Sequence, residues 1–199
     1  MTEHLRPEPD RYWNVDEAIG EAHFWGEAWT VRLAAHVAEE PYRRGLSDLV
    51  PLRAARGTRT YVQARPYILV PDFRLTAELS PTTGAGAIGQ VRDSEWRGMK
   101  GERIGRGQAW FYHEDRVLVL WECFLEDRYQ TGEAPDDPNL HVVWEGFERF
   151  LGARFPTARQ LVTTADDPLY ETAAYQRFLQ MRGYERLNAR ACGKTVRAT

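Results

Sequence analysis

One carboxylate interrupts the most apolar segment of the chain. Glu122 lies within residues 117–124, where every other side chain is aliphatic, aromatic or cysteine. A charge in such a segment is costly unless it is paired or takes part in chemistry. Glu122 is therefore the first candidate for a base that accepts a proton from a substrate, and pairing with a neighbouring arginine at a strand end is the simpler alternative. Glu126 is the second candidate and His141 the third.

The segment that follows these carboxylates predicts a helix and a strand. Between residues 140 and 151, apolar side chains recur at i, i+3, i+4, i+7 and i+11, which is typical of an amphipathic helix. Asp137 stands at the N-cap position and Pro138 at the first helical position, so the start of this helix is well marked. Residues 159–164 then predict a short strand.

A hairpin before this helix and a second helix after it complete the pattern. Residues 108–112 and 116–124 predict two strands joined by a tight turn. The second helix is expected to begin at Asp167, where an Asp-Pro pair repeats the first start signal, and to end at Gly183.

This order of elements, ending in the letters YQRFLQMRGY, resembles the second half of GNAT-type N-acetyltransferases over residues 107–190. The resemblance implies one α/β domain spanning residues 1–199, with a mixed central sheet flanked by helices in a GNAT-like arrangement. It also implies an acyl-CoA-dependent N-acyltransferase that acts on a small-molecule or protein amine. Acetyl-CoA or another acyl-CoA would be the cofactor.

The resemblance further implies where that cofactor would bind. Its pantetheine arm would enter a gap between two parallel strands, near Trp121 and Leu161. The residues it would meet are those of the strand end and of the following loop: Cys123, Phe124 and Leu125 for the pantetheine, and Gln130, Thr131 and Gly132 for the pyrophosphate.

Three features depart from that family. For the family's pyrophosphate loop, Arg128 stands one residue too far from Gly132 and Gln130 stands two residues too near. Residues 126–137 also hold five carboxylates against one arginine. Leu179 occupies the position of the family's proton-donating tyrosine, and Tyr175 lies one turn earlier on the same face. Tyr175 is therefore the candidate acid. The departures favour the alternative of a catalytically silent module that binds nucleic acid or a protein partner.

The basic segment between Arg43 and Arg65 would serve that alternative. Six arginines stand there against one aspartate, with Tyr42 and Tyr61 among them. Such a segment can bind phosphates and stack on bases. Pairing between these arginines and the acidic loop at 126–137 is the competing interpretation, and the formal net charge of -3 disfavours nucleic acid.

Composition bounds the remaining expectations. Cys123 and Cys192 show no metal-binding spacing, and Asp136, Asp137 and His141 are better explained as helix capping with a nearby histidine, so no metal site is expected. The polar start and the lack of long apolar runs predict a cytoplasmic protein with no membrane association.

The first half of the chain carries weaker signals. We expect a loose arm at residues 1–12 and a long helix that begins near Asn14 or Asp16 and stops at Pro41. Strands are expected at 58–70 and 72–79, followed by a glycine-rich, mobile segment at 80–107.

Overall fold

The computed structural model describes residues 15–43, 52, 56–69, 101–164 and 172–196. More than half of these residues lie in strands, and two α-helices accompany them. The helices are α1 (Pro138–Arg154) and α2 (Ala173–Met181). The strands are β1 (Val15–Phe24), β2 (Glu27–Arg43), β3 (Arg56–Leu69), β4 (Gly101–Arg103), β5 (Gly105–Tyr112), β6 (Val117–Leu125), β7 (Gln160–Thr164), β8 (Glu185–Asn188) and β9 (Ala191–Thr195).

All nine strands belong to one sheet that curls into a half-barrel. Eight of them follow the order β1-β2-β3-β5-β6-β7-β9-β8, and β4 pairs with β3 outside this path. Neighbouring strands are antiparallel except β6 and β7, which are parallel. A parallel pair requires a crossover connection, and α1 is the helix of that crossover.

The expected GNAT-like α/β fold is wrong. Both helices contribute to the same core cluster on one face of the curled sheet, and they do not flank the sheet on two sides. The second, smaller cluster on the opposite face is built from strand residues, Leu52 and aromatic side chains. The physical reason is that the first half of the chain supplies long antiparallel strands where the prediction had placed a helix.

The long helix expected between residues 14 and 41 is in fact the β1–β2 hairpin. Trp25 and Gly26 adopt positive φ angles of 55° and 80° and form its two-residue turn, which is the geometry that hairpins favour. In β2, alternate residues from Trp29 to Ala35 are buried in the core on the helix side. This burial of every second residue is the pattern of a strand and not of a helix.

The predictions for the second half of the chain are mostly confirmed. Helix α1 starts at Pro138 with Asp137 as its N-cap, and β7 and the β5–β6 hairpin occupy the expected segments. Helix α2 ends as predicted before Gly183, whose φ is 80°. The start predicted at Asp167 is wrong, because α2 begins at Ala173 with Thr172 as its N-cap. Asp167 itself lies outside the described residues. The N-terminal arm, the strand at 72–79 and most of the glycine-rich segment also lie outside them.

Helix α1 packs closely against the edge strand β1. A Cβ atom on Gly146 would lie 2.5 Å from the Cβ of Ile19, and one on Gly20 would lie 2.5 Å from Val142. The amide of Asn139 bonds both backbone groups of His23 at 3.2 Å. These contacts fix α1 between β1 and β6 and thereby place the end of β6 beside the helix.

No helix among the described residues combines the length and the apolar character needed to cross a membrane.

Candidate active site beside strand β6

Strand β6 has two partners along its first half and one along its second. It pairs with β5 from Val117 to Leu125, but its pairing with β7 stops at Leu120. A bulge marks the change: Gln108 faces Glu122 while Ala109 faces Leu120, so Trp121 is the inserted residue. A bulge bends and twists its strand. The registered pairing of β6 with β7 ends at Leu120, opposite Thr163, and β7 itself ends at Thr164.

The backbone beyond the bulge points toward the missing partner. The N–H of Glu126 donates to the carbonyl of Ile104 at 2.9 Å, on the β5 side. Backbone groups alternate in direction along a strand, so those of Cys123 and Leu125 point to the β7 side. No strand of the described residues pairs with them there. We call residues 121–125 the open edge of β6.

The loop after the open edge binds to itself. The side-chain amide of Gln130 donates to the carbonyl of Leu125 at 2.9 Å and to Asp127 at 3.2 Å. The N–H and hydroxyl of Thr131 donate to the carboxylate of Asp137 at 3.1 and 3.0 Å. Gly132 is exposed and has open space around its Cα. The donors of the expected phosphate-binding residues Gln130 and Thr131 are thus engaged within the loop.

A carboxylate also caps the N-terminus of α1. Asp137 is 1% exposed and accepts the N–H groups of Asn139 at 2.9 Å and Leu140 at 3.3 Å. These are the groups that a helix start offers to an anion. The charge of Asp137 therefore occupies the place that a phosphate would need.

Glu126 of the acidic loop forms ion pairs with arginines beside it. Glu126 pairs with Arg103 at 2.9 Å and with Arg128 at 3.3 Å, and Arg128 also reaches Glu102 at 3.3 Å. In the basic segment, Arg59 pairs with Glu40 of the neighbouring strand and lies 4.0 Å above the ring of Trp110. These ion pairs do not join the basic segment to the acidic loop.

The first candidate base is paired with an arginine. Glu122 lies 2.9 Å from the Nε of Arg106, and the two side chains are 38% and 39% exposed. Cys123 and Leu125 point into the core on the helix side, so Glu122 projects from the opposite face of β6. Glu122 belongs to the open edge itself, whereas Glu126, held by two arginines, follows it.

The candidate acid lies on the other side of the sheet. Tyr175 is half-buried in α2, with its ring 6.0 Å from those of Trp144 and Phe178. The structure therefore places Glu122 and Tyr175 on opposite faces and does not bring them together. Leu179 is buried in the core.

Sequence reasoning missed a carboxylate on the helix side of the sheet that accepts from four side chains. Glu148 of α1 accepts from Tyr184 at 2.6 Å, from Lys194 at 2.6 Å, from Arg182 at 2.7 Å and from Trp144 at 3.0 Å. We call these five residues the Glu148 cluster. Its signal in the sequence was the spacing of Glu148 four residues after Trp144, on the inward side of an amphipathic helix.

The Glu148 cluster lies next to the open edge. Burial raises the pKa of the Cys123 thiol well above its usual value, and the charge of Glu148 raises it further. Burial and the same carboxylate raise the pKa of Tyr184. Both groups therefore stay protonated at neutral pH, and Tyr184 acts as a hydrogen-bond donor to Glu148.

A small cleft adjoins the cluster. It has a volume of about 100 Å³ between α2 and the β8–β9 hairpin and is lined by Gln176, Leu179, Gln180, Tyr184, Arg186 and Cys192. Amide groups and one guanidinium make it polar on one side. Its size suits a small polar group and not a whole nucleotide.

The third candidate base and the acidic pair beside it do not form a metal site. The Nε2 of His141 lies 2.7 Å from the carbonyl oxygen of Pro135, and Asp137 caps α1. Among the described residues, no three histidine, cysteine or carboxylate side chains are grouped to hold a metal ion.

No protein-family model matches this chain, and neither the curated proteins nor the solved structures compared with it contain a match. Function must therefore be argued from the geometry of the site.

Proposed function

We propose that the protein is an N-acyltransferase that takes an acyl group from an acyl-CoA thioester and transfers it to a small-molecule or protein amine. The observation that supports this proposal is the open edge of β6. A pantetheine arm carries two amide groups in an extended chain, and backbone N–H and C=O groups at a strand edge are suited to bind such a chain.

The open edge offers the required groups in the required direction. The backbone of Cys123 and Leu125 points to the side where β7 is no longer paired. The carbonyl of Leu125 is already bonded to Gln130. Among the described residues, which omit 165–171 directly after β7, no strand pairs with the N–H groups of Cys123 and Leu125 or with the carbonyl of Cys123. Cys123 and Leu125 are 7% and 1% exposed, so the arm reaches these groups only by displacing the part of the chain that covers them. A buried backbone group without a partner is costly, and the amides of the arm would supply that partner.

The chemistry is a transfer from sulfur to nitrogen. A C–N bond forms as the amine attacks the thioester carbon, and the C–S bond breaks to release the thiol. The ammonium group of the acceptor loses two protons in total. In this proposal Glu122 accepts one proton for release to water, and the leaving thiolate takes up the other from the attacking nitrogen through solvent. Tyr175, on the opposite face of the sheet, takes no part.

Binding and backbone protection test the proposal together. At an acetyl-CoA concentration ten times the Kd, hydrogen–deuterium exchange of the backbone amides of Cys123 and Leu125 should slow about tenfold. Leu118 and Leu120, in the part of β6 that already pairs with β7, provide the internal control and should not change. If no heat of binding is measured at millimolar acetyl-CoA and no amide of β6 gains protection, the acyltransferase assignment is wrong.

A pair of variants tests the proposed base. Glu122→Gln should lower kcat by about 10²-fold or more and leave the Kd for acetyl-CoA within twofold, because the carboxylate acts only on the acceptor. Glu133→Gln, an exposed carboxylate of the following loop, is the matched control and should keep full activity. Equal kcat values for the two variants would show that Glu122 is not the base.

A further inference from the structure

We infer that the protein recognises its acyl donor through the pantetheine arm alone, so that acyl thioesters of pantetheine are donors whether or not they carry the nucleotide diphosphate of CoA. This inference rests on the proposed function. It concerns the loop at the end of the open edge, residues 126–137, which the sequence analysis assigned to the pyrophosphate of the donor.

The first reason is that the helix start beside the open edge is already neutralised. A helix N-terminus offers about half a positive charge to an anion. The full negative charge of Asp137, buried to 1% exposure, is bonded to the N–H groups of Asn139 and Leu140. A diphosphate at this place would meet a carboxylate where it needs hydrogen-bond donors.

The second reason is that the loop donors are engaged. Thr131 donates both its N–H and its hydroxyl to Asp137, and the amide of Gln130 bonds Leu125 and Asp127. A phosphate could reach these donors only by displacing internal bonds of similar strength. The exchange would bring no net gain of hydrogen bonds.

The third reason is the charge of the surroundings. Asp127, Glu133 and Asp136 are exposed on the same loop. Arg128, the cation of the loop, is paired with Glu102 and Glu126 at 3.3 Å. Two phosphate charges would therefore add to an excess of negative charge. The open edge of β6, by contrast, is formed by uncharged backbone groups and accepts the amides of the arm without this penalty.

The experiment compares three donors on the whole chain: S-acetylpantetheine, S-acetyl-4′-phosphopantetheine and acetyl-CoA. Calorimetry should give Kd values that agree within about threefold, because the phosphates add no favourable free energy. A Kd for acetyl-CoA at least tenfold below that for S-acetylpantetheine would overturn the inference and leave the acyltransferase proposal intact. Absence of binding by all three donors would instead overturn the proposed function.

Two matched variants test the role assigned to Asp137. Asparagine caps a helix about as well as aspartate, so Asp137→Asn should fold. It removes the charge and also the acceptor of the Thr131 N–H bond. Affinity for acetyl-CoA should then rise about tenfold, while that for S-acetylpantetheine stays within twofold. Asp136→Asn, at the exposed neighbouring position, is the control and should change neither value by more than twofold. Unchanged donor preference in Asp137→Asn would show that the buried carboxylate does not exclude the diphosphate.

Discussion

Replacing Glu148 with glutamine removes one negative charge from a site that holds two cations. The carboxylate is 10% exposed, and its partners Arg182 and Lys194 are 11% and 22% exposed. Water can therefore do little to solvate Arg182 and Lys194 once the carboxylate is removed. Breaking a buried ion pair by removing one partner costs about 3–5 kcal/mol, because the other partner stays behind as an uncompensated charge.

The structure sets the expected size of the effect and supplies its control. For a chain of 199 residues, a loss of about 3–5 kcal/mol should lower the melting temperature by about 6–20 °C. Glu145 lies one turn earlier in α1, is 66% exposed and is 4.0 Å from Arg182. Glu145→Gln should lower the free energy of unfolding by less than about 0.5 kcal/mol, as exposed pairs usually do.

Urea unfolding followed by circular dichroism measures both variants under the same conditions. The reasoning requires that Glu148→Gln lower the midpoint strongly while the slope stays constant. It also requires that high salt not remove the difference between the variants, since buried pairs are screened little. If the two variants lose the same small amount of stability, the Glu148 cluster does not hold α1, α2 and β9 together.

Three further predictions concern pH, packing and capping. Burial raises the pKa of Cys123 from 9.0 and of Tyr184 from 10.0. The unfolded chain therefore loses these protons first, and the free energy of unfolding should fall as the pH rises above 9.0; a constant value up to pH 11 in urea titrations would contradict this. Gly146→Ala should cost about 1–3 kcal/mol because its Cβ would overlap β1, whereas Gly152→Ala in the same helix has open space and should stabilise by about 0.5–1 kcal/mol in thermal unfolding. Asp137→Ala should lower stability by about 2 kcal/mol and Asp137→Asn by much less; equal losses would mean that capping is not the role of this side chain.

Local signals predicted the second half of the chain well. The cap at Asp137, the proline at Pro138 and the apolar spacing of the helix are all contained within a few residues, so α1 could be placed from the sequence. The positive φ of Gly183 likewise matched its role at a helix end. Such signals depend on the backbone near each residue and not on distant partners.

The first half failed because two periodicities overlapped. Ile19, Ala22 and Trp29 fit a helical stripe, and they are also buried as residues of two strands. Gly26 in a hairpin turn was the stronger signal, since glycine with positive φ ends a helix and suits a two-residue turn. Pairing of β2 with β3 along thirteen registered positions, including Ala35 with Ala64, then outweighs helix propensity.

The candidate site was predicted in part. The parallel neighbour expected near Leu161 is β7, but the gap expected beside Leu161 is absent, because Leu118 and Leu161 are registered partners. Cys123 and Leu125 stay predictions as cofactor-binding residues. Glu148 was missed because its partners Arg182 and Tyr184 lie 34 and 36 residues away in sequence. No spacing rule connects residues so distant.

By itself, the sequence determined where α1 begins, where α2 ends, and that a hairpin and a parallel crossover occupy residues 108–164, because caps, glycines and short periodicities act locally. Only the tertiary structure decided that the long sheet curls into a half-barrel, that both helices share one core cluster, and that one inserted residue shifts the register of β6 against β5. Curvature and register arise from pairing between distant strands, and a single extra residue at Trp121 is enough to change which backbone groups have partners.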